Sequence, residues 1–256
     1  MKKLILSFFI INIISCTKII NVDLNTAESN IVIEAEVSNT ANAHVAIKKS
    51  VPFSNSNQFP AIENALVTIT ENGGNEYKLT QTAPGIYQTA SIIGFPGKTY
   101  QLNINIDGKN YQSVGTMPAI VTLDSLILEK IPFIEEPNWI VKPMYTDPPG
   151  FGNQYRFIQW INGKRHPNIW VWDDKLTNDG ISTRPLIQAD SIVNINDTVE
   201  VEMQCIDWPV YRYFRGLQDL QRGGTTPANP ESNISGGALG YFNVHTKQRK
   251  KRVVNF

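Results

Sequence analysis

Residues 99–114 read Thr-Tyr-Gln-Leu-Asn-Ile-Asn-Ile-Asp-Gly-Lys-Asn-Tyr-Gln-Ser-Val, and they carry the clearest structural signal in the chain. Leu102, Ile104 and Ile106 alternate with polar residues, which is the period of a strand with one buried face. Asp107-Gly108 follows directly, and Asp-Gly is a favoured two-residue hairpin turn because both positions accept positive φ. The stretch therefore predicts a β-hairpin.

Similar short segments precede this hairpin, separated by turn dipeptides such as Pro84-Gly85 and Pro96-Gly97. The strand-like segments up to residue 117 cover residues 31–37, 44–48, 65–70, 77–80, 86–89, 99–106 and 110–114. Short strands broken by frequent turns are typical of a sandwich of two sheets. We therefore predict a mainly β protein whose residues 30–117 form an immunoglobulin- or transthyretin-like β-sandwich.

The sequence changes character after Met117-Pro118, because all five tryptophans lie further on. The proline-rich stretch 131–152 predicts irregular structure. Asp207 predicts the N-cap of an amphipathic helix that ends at Gly223-Gly224. Strands are predicted at 154–161, 169–172, 184–189 and 198–206, with a closing strand pair around 239–245 and 253–256. Residues 118–256 are thus predicted to form a second, tryptophan-rich β domain with one helix.

The N-terminus has the pattern of a secretory signal peptide. Lys2 and Lys3 precede an apolar run over residues 4–14, which is shorter than the roughly 20 residues of a membrane-spanning helix. The run closes with Ile13-Ile14-Ser15-Cys16, which resembles a bacterial lipobox, whose final cysteine is acylated. An ordinary signal peptide with an incidental cysteine is the alternative interpretation.

The lipobox-like ending predicts a lipoprotein signal peptide over residues 1–15 and lipidation of Cys16, with a lipid anchor and tether over residues 16–29. Several acyl chains on one cysteine make a stable anchor, since each buried CH₂ contributes about 0.8 kcal/mol. Thr17 stands where an aspartate would resemble an inner-membrane retention signal. We therefore expect a membrane partner through the lipid anchor, and localisation at the outer membrane.

Charge and cysteine content exclude two classes of protein. The 23 basic and 23 acidic residues balance, with a pI near 6.8, whereas a dedicated nucleic-acid binder carries a basic face. Of the two cysteines, Cys205 alone remains once Cys16 is acylated, so a disulfide framework is excluded. We expect no nucleic-acid partner.

Catalytic and metal-binding motifs are missing from the sequence. It contains no G-x-S-x-G, H-E-x-x-H or C-x-x-C. The oxygen-rich segment 173–180 lacks the ligand spacing of a calcium loop and is predicted to be a solvated turn. We predict a protein that is not an enzyme, with no catalytic residues, no metal site and no cofactor.

Three tryptophans are the candidate ligand-binding residues. Trp170 and Trp172 flank Val171, so both indoles share one face of a strand, and Trp160 is predicted to face them from the preceding strand. Exposed indoles would offer a stacking surface to a sugar ring or an apolar ligand. Buried indoles would instead belong to the core. The sequence leaves both interpretations open.

The chain as a whole resembles the Bacteroidetes lipoprotein family of domain of unknown function 4249. The most specific match is residues 229–242, Asn-Pro-Glu-Ser-Asn-Ile-Ser-Gly-Gly-Ala-Leu-Gly-Tyr-Phe. Residues 16–24, 65–70 and 117–126 carry further similarity, as do Pro-Gly-Ile-Tyr at 84–87 and Gly-Lys-Thr-Tyr at 97–100. The resemblance implies an envelope lipoprotein, often encoded beside TonB-dependent outer-membrane receptors, and it supplies no catalytic residues.

These observations predict an outer-membrane lipoprotein that serves as an accessory binding or interaction component of a TonB-dependent uptake system. The predicted partner-binding residues are Asn229, Pro230, Asn233, Tyr241 and Phe242. A structural role for this loop is the alternative, because its prolines and glycines shape the backbone. For the whole protein, the alternative is a structural envelope lipoprotein without a transported ligand.

Overall fold

The computed structural model describes residues 29–52, 58–72, 74–131, 139–187, 193–223 and 229–255. The predicted signal peptide, Cys16 and the tether up to residue 28 lie outside the described residues. Within the described part of the chain, no helix is both long enough and apolar enough to cross a bilayer. The protein is mainly β, and its described residues contain one α-helix near the C-terminus, which confirms the predicted fold class.

In the described part of the chain, strands follow one another throughout and a single α-helix comes just before the last strand. They are β1 (Ile31–Ser38), β2 (His44–Lys49), β3 (Leu66–Glu71), β4 (Glu76–Ala83), β5 (Ile86–Gln88), β6 (Thr99–Ile106), β7 (Lys109–Thr116), β8 (Leu123–Lys130), β9 (Trp139–Thr146), β10 (Gln154–Ile161), β11 (Lys164–Arg165), β12 (Trp170–Asp173), β13 (Ile181–Ser182), β14 (Thr198–Ile206), α1 (Trp208–Gln221) and β15 (Leu239–Val253). A 3₁₀ turn over Asp174–Leu176 follows β12.

The strands form one sheet of twelve strands and one of three. The larger sheet runs in the order β11-β10-β14-β15-β1-β2-β5-β4-β3-β6-β7, with β12 also paired to β10. The smaller sheet has the order β13-β9-β8. Strands from both halves of the sequence therefore share the larger sheet.

The first half of the chain closes into a sandwich because the large sheet folds over at β4. This strand pairs with β5 on one side and β3 on the other, and a register shift between Gln81 and Ala83 marks a bulge, which increases twist. Side chains from β1 and β2 thereby meet side chains from β3 and β6 in one apolar core. Its fully buried members include Ile33, Ala35, Ile47, Val67, Ile69, Tyr100, Leu102 and Ile104.

Strand β15 joins the two halves of the molecule. Its first half pairs with β1 in parallel, from Val32 opposite Leu239 to Ser38 opposite His245. Its second half pairs with β14 in antiparallel fashion, from Cys205 opposite Thr246 to Thr198 opposite Val253. A fifteen-residue strand is long enough to serve both partners.

The second half of the chain is a sandwich built on the other end of the large sheet. The three-stranded sheet packs over β10, β12 and β14, and the rings of Tyr145 and Tyr155 lie 4.8 Å apart between the two layers. The apolar residues of this core include Leu123, Val141, Phe157, Trp170, Trp172, Leu186, Val201 and Met203. Cys205 is buried in the same core, on the same strand face as Val201 and Met203.

Helix α1 covers the opposite face of the large sheet. It begins where predicted, since Asp207 is the N-cap and its carboxylate accepts a hydrogen bond of 3.1 Å from the Val210 backbone N–H. The α1 side chains of Val210 and Phe214 are buried on the side of the helix that faces the sheet. They pack against Val171, Ile206 and Tyr241.

Three sequence predictions are wrong in detail. Residues 131–152 are not irregular throughout, because β9 occupies Trp139–Thr146, with Pro143 in its interior. Residues 184–187 form no strand, and Leu186 makes only an isolated bridge to Val141. The expected closing strand pair is instead the continuous strand β15, since its charged second half still has β14 as a partner.

The division between residues 117 and 118 stays a prediction, and the structure adds a qualification to it. Ile234, Ala238, Phe242 and Val244 lie in the core of the first sandwich although they come from the end of the chain. Fully burying a side chain such as Phe242 contributes about 1.5–3 kcal/mol. The first sandwich is therefore completed by residues that the sequence reading assigned to the second domain.

Candidate functional site

Trp170 and Trp172 belong to the second core and offer no surface for a ligand. Their relative exposures are 3% and 5%. The ring of Trp172 lies 4.3 Å from that of Phe157, and the Trp170 indole N–H donates to the backbone oxygen of Ile187 at 3.2 Å. Of the two interpretations left open by the sequence, the structure supports the core for this pair.

Trp160 does not face the other two tryptophans. Strand register places Trp170 opposite Phe157 and Trp172 opposite Tyr155, so Trp160, at an even position of β10, points to the other side of the sheet. There its indole packs under the Arg249 guanidinium at 4.4 Å from the ring centre. The predicted three-tryptophan platform is therefore not assembled.

Most of the predicted partner-binding residues hold the fold together. The Asn233 side chain accepts from the Phe242 backbone N–H at 2.8 Å and donates to the Phe242 backbone oxygen at 2.9 Å. Phe242 is fully buried, and Tyr241 packs on Phe214 beneath the helix. These three residues fit the structural alternative.

Asn229 and Pro230, in contrast, lie on the surface beside α1. Together with Arg212, Arg215 and Gly216 they line a groove of about 460 Å³. Arg212 forms an ion pair with Glu231 in this groove. The structure therefore separates the five predicted partner-binding residues into three internal ones and two surface ones.

A cavity of about 510 Å³ opens where α1 begins. Its rim carries two aromatic side chains that are unusually exposed, Trp208 at 48% and Phe151 at 75%. Its walls come from the segment after the first sandwich, the ends of β12 and β14 and the first residues of α1, and include Pro118, Val121, Tyr155, Asp173, Cys205 and Asp207. We call this cavity the Trp208 cleft.

Two carboxylates in the Trp208 cleft have defined structural bonds. Asp174 Oδ2 accepts from the backbone N–H groups of Gly152 and Asn153, each at 2.7 Å. Asp174 is only 2% exposed, so the predicted solvated turn is wrong for this residue. Asp207 caps the helix through Oδ1, and burial raises the pKa of its carboxyl to about 6.

The inner wall of the cleft includes the buried side chains of Tyr155 and Cys205. The Tyr155 hydroxyl donates to Asp147 Oδ1, and Asp147 is fully buried. Burial also raises the pKa of the Cys205 thiol, which disfavours the thiolate that a nucleophilic cysteine needs. These groups fix the shape of the wall.

This arrangement is suited to binding a small polar ring. Ligand cavities of about 300–1,000 Å³ are usual for small molecules, and an exposed indole supplies a flat apolar face. Asp173 and the second carboxylate oxygen of Asp207 are partly exposed at the cleft and are hydrogen-bond acceptors for hydroxyl groups. An apolar face beside several acceptors matches the two surfaces of a sugar ring.

Sequence reasoning missed Trp208 although one signal was present. The helix prediction correctly identified Asp207 as the N-cap, and the residue that follows an N-cap lies in the exposed first turn. Trp208 occupies that position and stacks on Tyr211 at 5.3 Å, instead of entering the core. A tryptophan directly after a helix cap is the pattern that pointed to this site.

Comparison with known proteins gives one result. No curated protein matches the chain. The family model described as domain of unknown function (DUF4249) matches residues 17–251. This match covers most of the chain, including both sandwiches and the Trp208 cleft, and the chain therefore belongs to the family of domain of unknown function 4249.

Proposed function

We propose that the protein is a lipid-anchored outer-membrane protein that binds a small sugar in the Trp208 cleft, as an accessory component of a TonB-dependent uptake system. Binding, and no chemical conversion, is the proposed role. The observation that carries the proposal is the cleft of about 510 Å³ with Trp208 and Phe151 exposed at its rim.

The exposure of Trp208 supports a binding role because burial is the usual fate of a large aromatic ring. A buried ring removes about 150–250 Å² from water, yet the Trp208 indole stays 48% exposed on a helix that buries other aromatic residues. Solvent-exposed aromatic side chains beside a concave surface are enriched at binding sites. Trp208 thus gives up stabilisation that a ligand would recover.

The role in uptake rests on the sequence pattern at residues 1–16 and on the family resemblance. A lipid on Cys16 would hold the protein at the membrane that contains the receptors. A binding cleft on such a protein fits the capture of a ligand before transport. The carboxylates of the cleft support binding over catalysis, since Asp174 and Asp207 each use an oxygen to hold the backbone.

Calorimetric titration of the full chain with a panel of neutral mono- and disaccharides tests the ligand assignment. We expect at least one sugar to bind, and Trp208→Ala to weaken its binding by about 2 kcal/mol, or roughly thirtyfold. Trp160→Ala is the matched control, because it removes the same side chain from a partly exposed position outside the cleft. Equal loss from the two variants would contradict a binding site at Trp208.

The receptor part of the proposal is tested separately with the lipidated full chain. The groove beside Asn229 is the proposed contact surface, so Asn229→Arg should reduce co-purification of a TonB-dependent receptor in mild detergent. Val114→Arg is the control, since Val114 is 57% exposed on the edge strand β7 of the first sandwich. Loss of the receptor with the control variant alone would move the contact to the first sandwich.

The structural alternative predicts the opposite pair of results. A structural envelope lipoprotein without a transported ligand would bind no sugar from the panel, and it would co-purify with no receptor. The closed, apolar first sandwich is the observation that favours this alternative.

A further inference from the structure

Arg156 is a buried cation in the middle of the large sheet. It lies on β10, is 5% exposed, and points to the face that α1 covers. Its guanidinium lies over the Phe214 ring at 3.7 Å from the ring centre. Its NH1 donates to Oε1 of Gln204 at 3.3 Å, which is a long bond to a neutral acceptor.

The carboxylates around Arg156 are committed to other partners. Glu202 accepts from Gln204 Nε2 at 2.6 Å and from Arg249 Nε at 2.7 Å. Glu34 lies 3.8 Å from Lys48. Among the described residues, no carboxylate is within ion-pair distance of Arg156. Glu36, which accepts from the Tyr241 hydroxyl at 3.5 Å, and Glu202 are near enough to raise its pKa, whereas its direct contacts are a neutral amide and an aromatic ring.

Such an arrangement is costly for a folded protein. A buried charge without an ionic partner loses its hydration and gains little in return. Burial accordingly lowers the pKa of Arg156 from its ordinary value. A protein that keeps an arginine in this state gains from it when an anion is present, because charge-assisted hydrogen bonds to a planar carboxylate are among the strongest available to a side chain.

An open cleft of about 340 Å³ leads to Arg156. Phe214, Tyr213 and Tyr241 give it aromatic walls, and the exposed Arg165 and the buried His166 also line it. The lining contains two positive side chains, Arg156 and Arg165, and one negative side chain, Glu34. Its formal charge is therefore about plus one when His166 is neutral. That excess charge matches a ligand with a single negative charge.

We propose that this cleft binds an organic carboxylate that carries a ring, with the carboxylate on Arg156 and the ring against the aromatic walls. The cleft is a second site, distinct from the Trp208 cleft. The two cavities share no lining residue, and they lie at different parts of α1, at Trp208 in one case and at Tyr213, Phe214 and Leu217 in the other.

Benzoate and benzamide form the matched pair of probes, because they share the ring and differ in the charge. Saturation-transfer NMR and calorimetry on the full chain should show benzoate binding with a dissociation constant of about 1 mM or tighter. Benzamide should bind at least about tenfold more weakly, since it lacks the anionic group. Equal binding of the two probes, or no binding of benzoate, would overturn the proposal.

Two substitutions at Arg156 test whether this residue binds the carboxylate. Arg156→Met removes the charge and keeps an apolar stem, and it should abolish saturable benzoate binding. Arg156→Lys keeps the charge and loses the planar fork, so it should weaken binding about tenfold and remains informative if the methionine variant does not fold. The control is Arg212→Met, which removes an arginine from the groove beside Asn229.

Unchanged benzoate binding by folded Arg156→Lys and Arg156→Met would show that the carboxylate binds elsewhere and would overturn the assignment. Trp208→Ala should leave benzoate binding unchanged. This last result separates the second site from the proposed sugar site, because either site can fail its own test without affecting the other.

Discussion

The two sandwiches of this protein are built from the same kind of strands, but their interiors differ. In the first, the buried polar residues among the described ones are only Ser38 and Ser113, and a cavity on its surface measures about 140 Å³. The second half of the chain buries Arg156, Glu202 and His245 and carries the cleft of about 510 Å³. Within the described residues, every buried side-chain nitrogen or oxygen without a hydrogen-bond partner lies at or beyond Trp139.

This difference indicates that the two sandwiches have different roles. An unpaired buried polar group costs about 1–3 kcal/mol of folding stability. A chain that places such groups in one half therefore lowers the stability of that half. The first sandwich has an apolar, closed interior that suits a structural role, and we call this sandwich the frame. The second has the polar interior and the open clefts that binding requires. Strand β15 belongs to both sandwiches, so substitutions in and beside it test whether the two differ in this way.

The largest expected effect comes from the point where β15 meets β1. Gly240 has φ of +104°, and a Cβ at this position would lie 1.9 Å from the Ile33 backbone oxygen. Gly240→Ala should force the two strands apart and lower the free energy of unfolding by about 3–5 kcal/mol, measured by urea denaturation.

The matched control for that substitution is Gly237→Ala. Gly237 also has positive φ, at +81°, but no atom lies within 4 Å of an added Cβ. It should cost only about 1–2 kcal/mol, from backbone conformation alone. Equal losses at the two glycines would show that the contact between β15 and β1 does not hold the frame together.

The next effect concerns the polar interior and depends on pH. Burial lowers the pKa of His245 to about 4, against about 6.5 in an unfolded chain. The unfolded state therefore binds a proton first, and the stability present above pH 6.5 falls by about 3 kcal/mol as the pH drops towards 4. His245→Gln should flatten this part of the stability profile, measured by chemical denaturation at several pH values.

Two features of that experiment keep it specific. Asp207, whose pKa burial raises to about 6, contributes with the opposite sign, so the quantity to compare is the difference in slope between variant and wild type. His44→Gln is the control, because His44 is only half-buried on β2. An unchanged slope in His245→Gln would mean that the polar interior is hydrated and costs the second sandwich little.

A smaller effect is expected at Asn233, which binds both backbone groups of Phe242. Asn233→Ala leaves these partly buried groups without partners and should cost about 1–3 kcal/mol in urea denaturation. Asn229→Ala, four residues earlier and exposed, should change stability by less than about 0.5 kcal/mol. A result near zero for both would remove residues 229–242 from the frame.

The sequence predicted the local structure well where the pattern was local. The Asp107-Gly108 hairpin and the helix capped by Asp207 both formed, because each signal lies within a few residues of the element that it controls. Strand β9 was missed because a proline in the sequence indicates a break in a strand. In the structure Pro143 lies inside β9, which pairs with β8.

The candidate site was less accessible to sequence reasoning for a physical reason. Whether Trp172 or Trp208 is exposed depends on which strands and helices cover it, and that is fixed by pairings between distant segments. The parallel pairing of β1 with β15 joins residues some two hundred positions apart, and no local pattern encodes it. The clefts are products of this long-range arrangement.

Hydrogen–deuterium exchange on the full chain, with and without the sugar that binds best in calorimetry, tests most directly whether binding belongs to the second half. We expect slower exchange on binding in the segments that line the Trp208 cleft, at residues 118–121, 151–155, 173–175 and 205–208. We expect no change across residues 31–116. Protection concentrated in residues 31–116, with none around Trp208, would contradict a binding site in the second half of the chain.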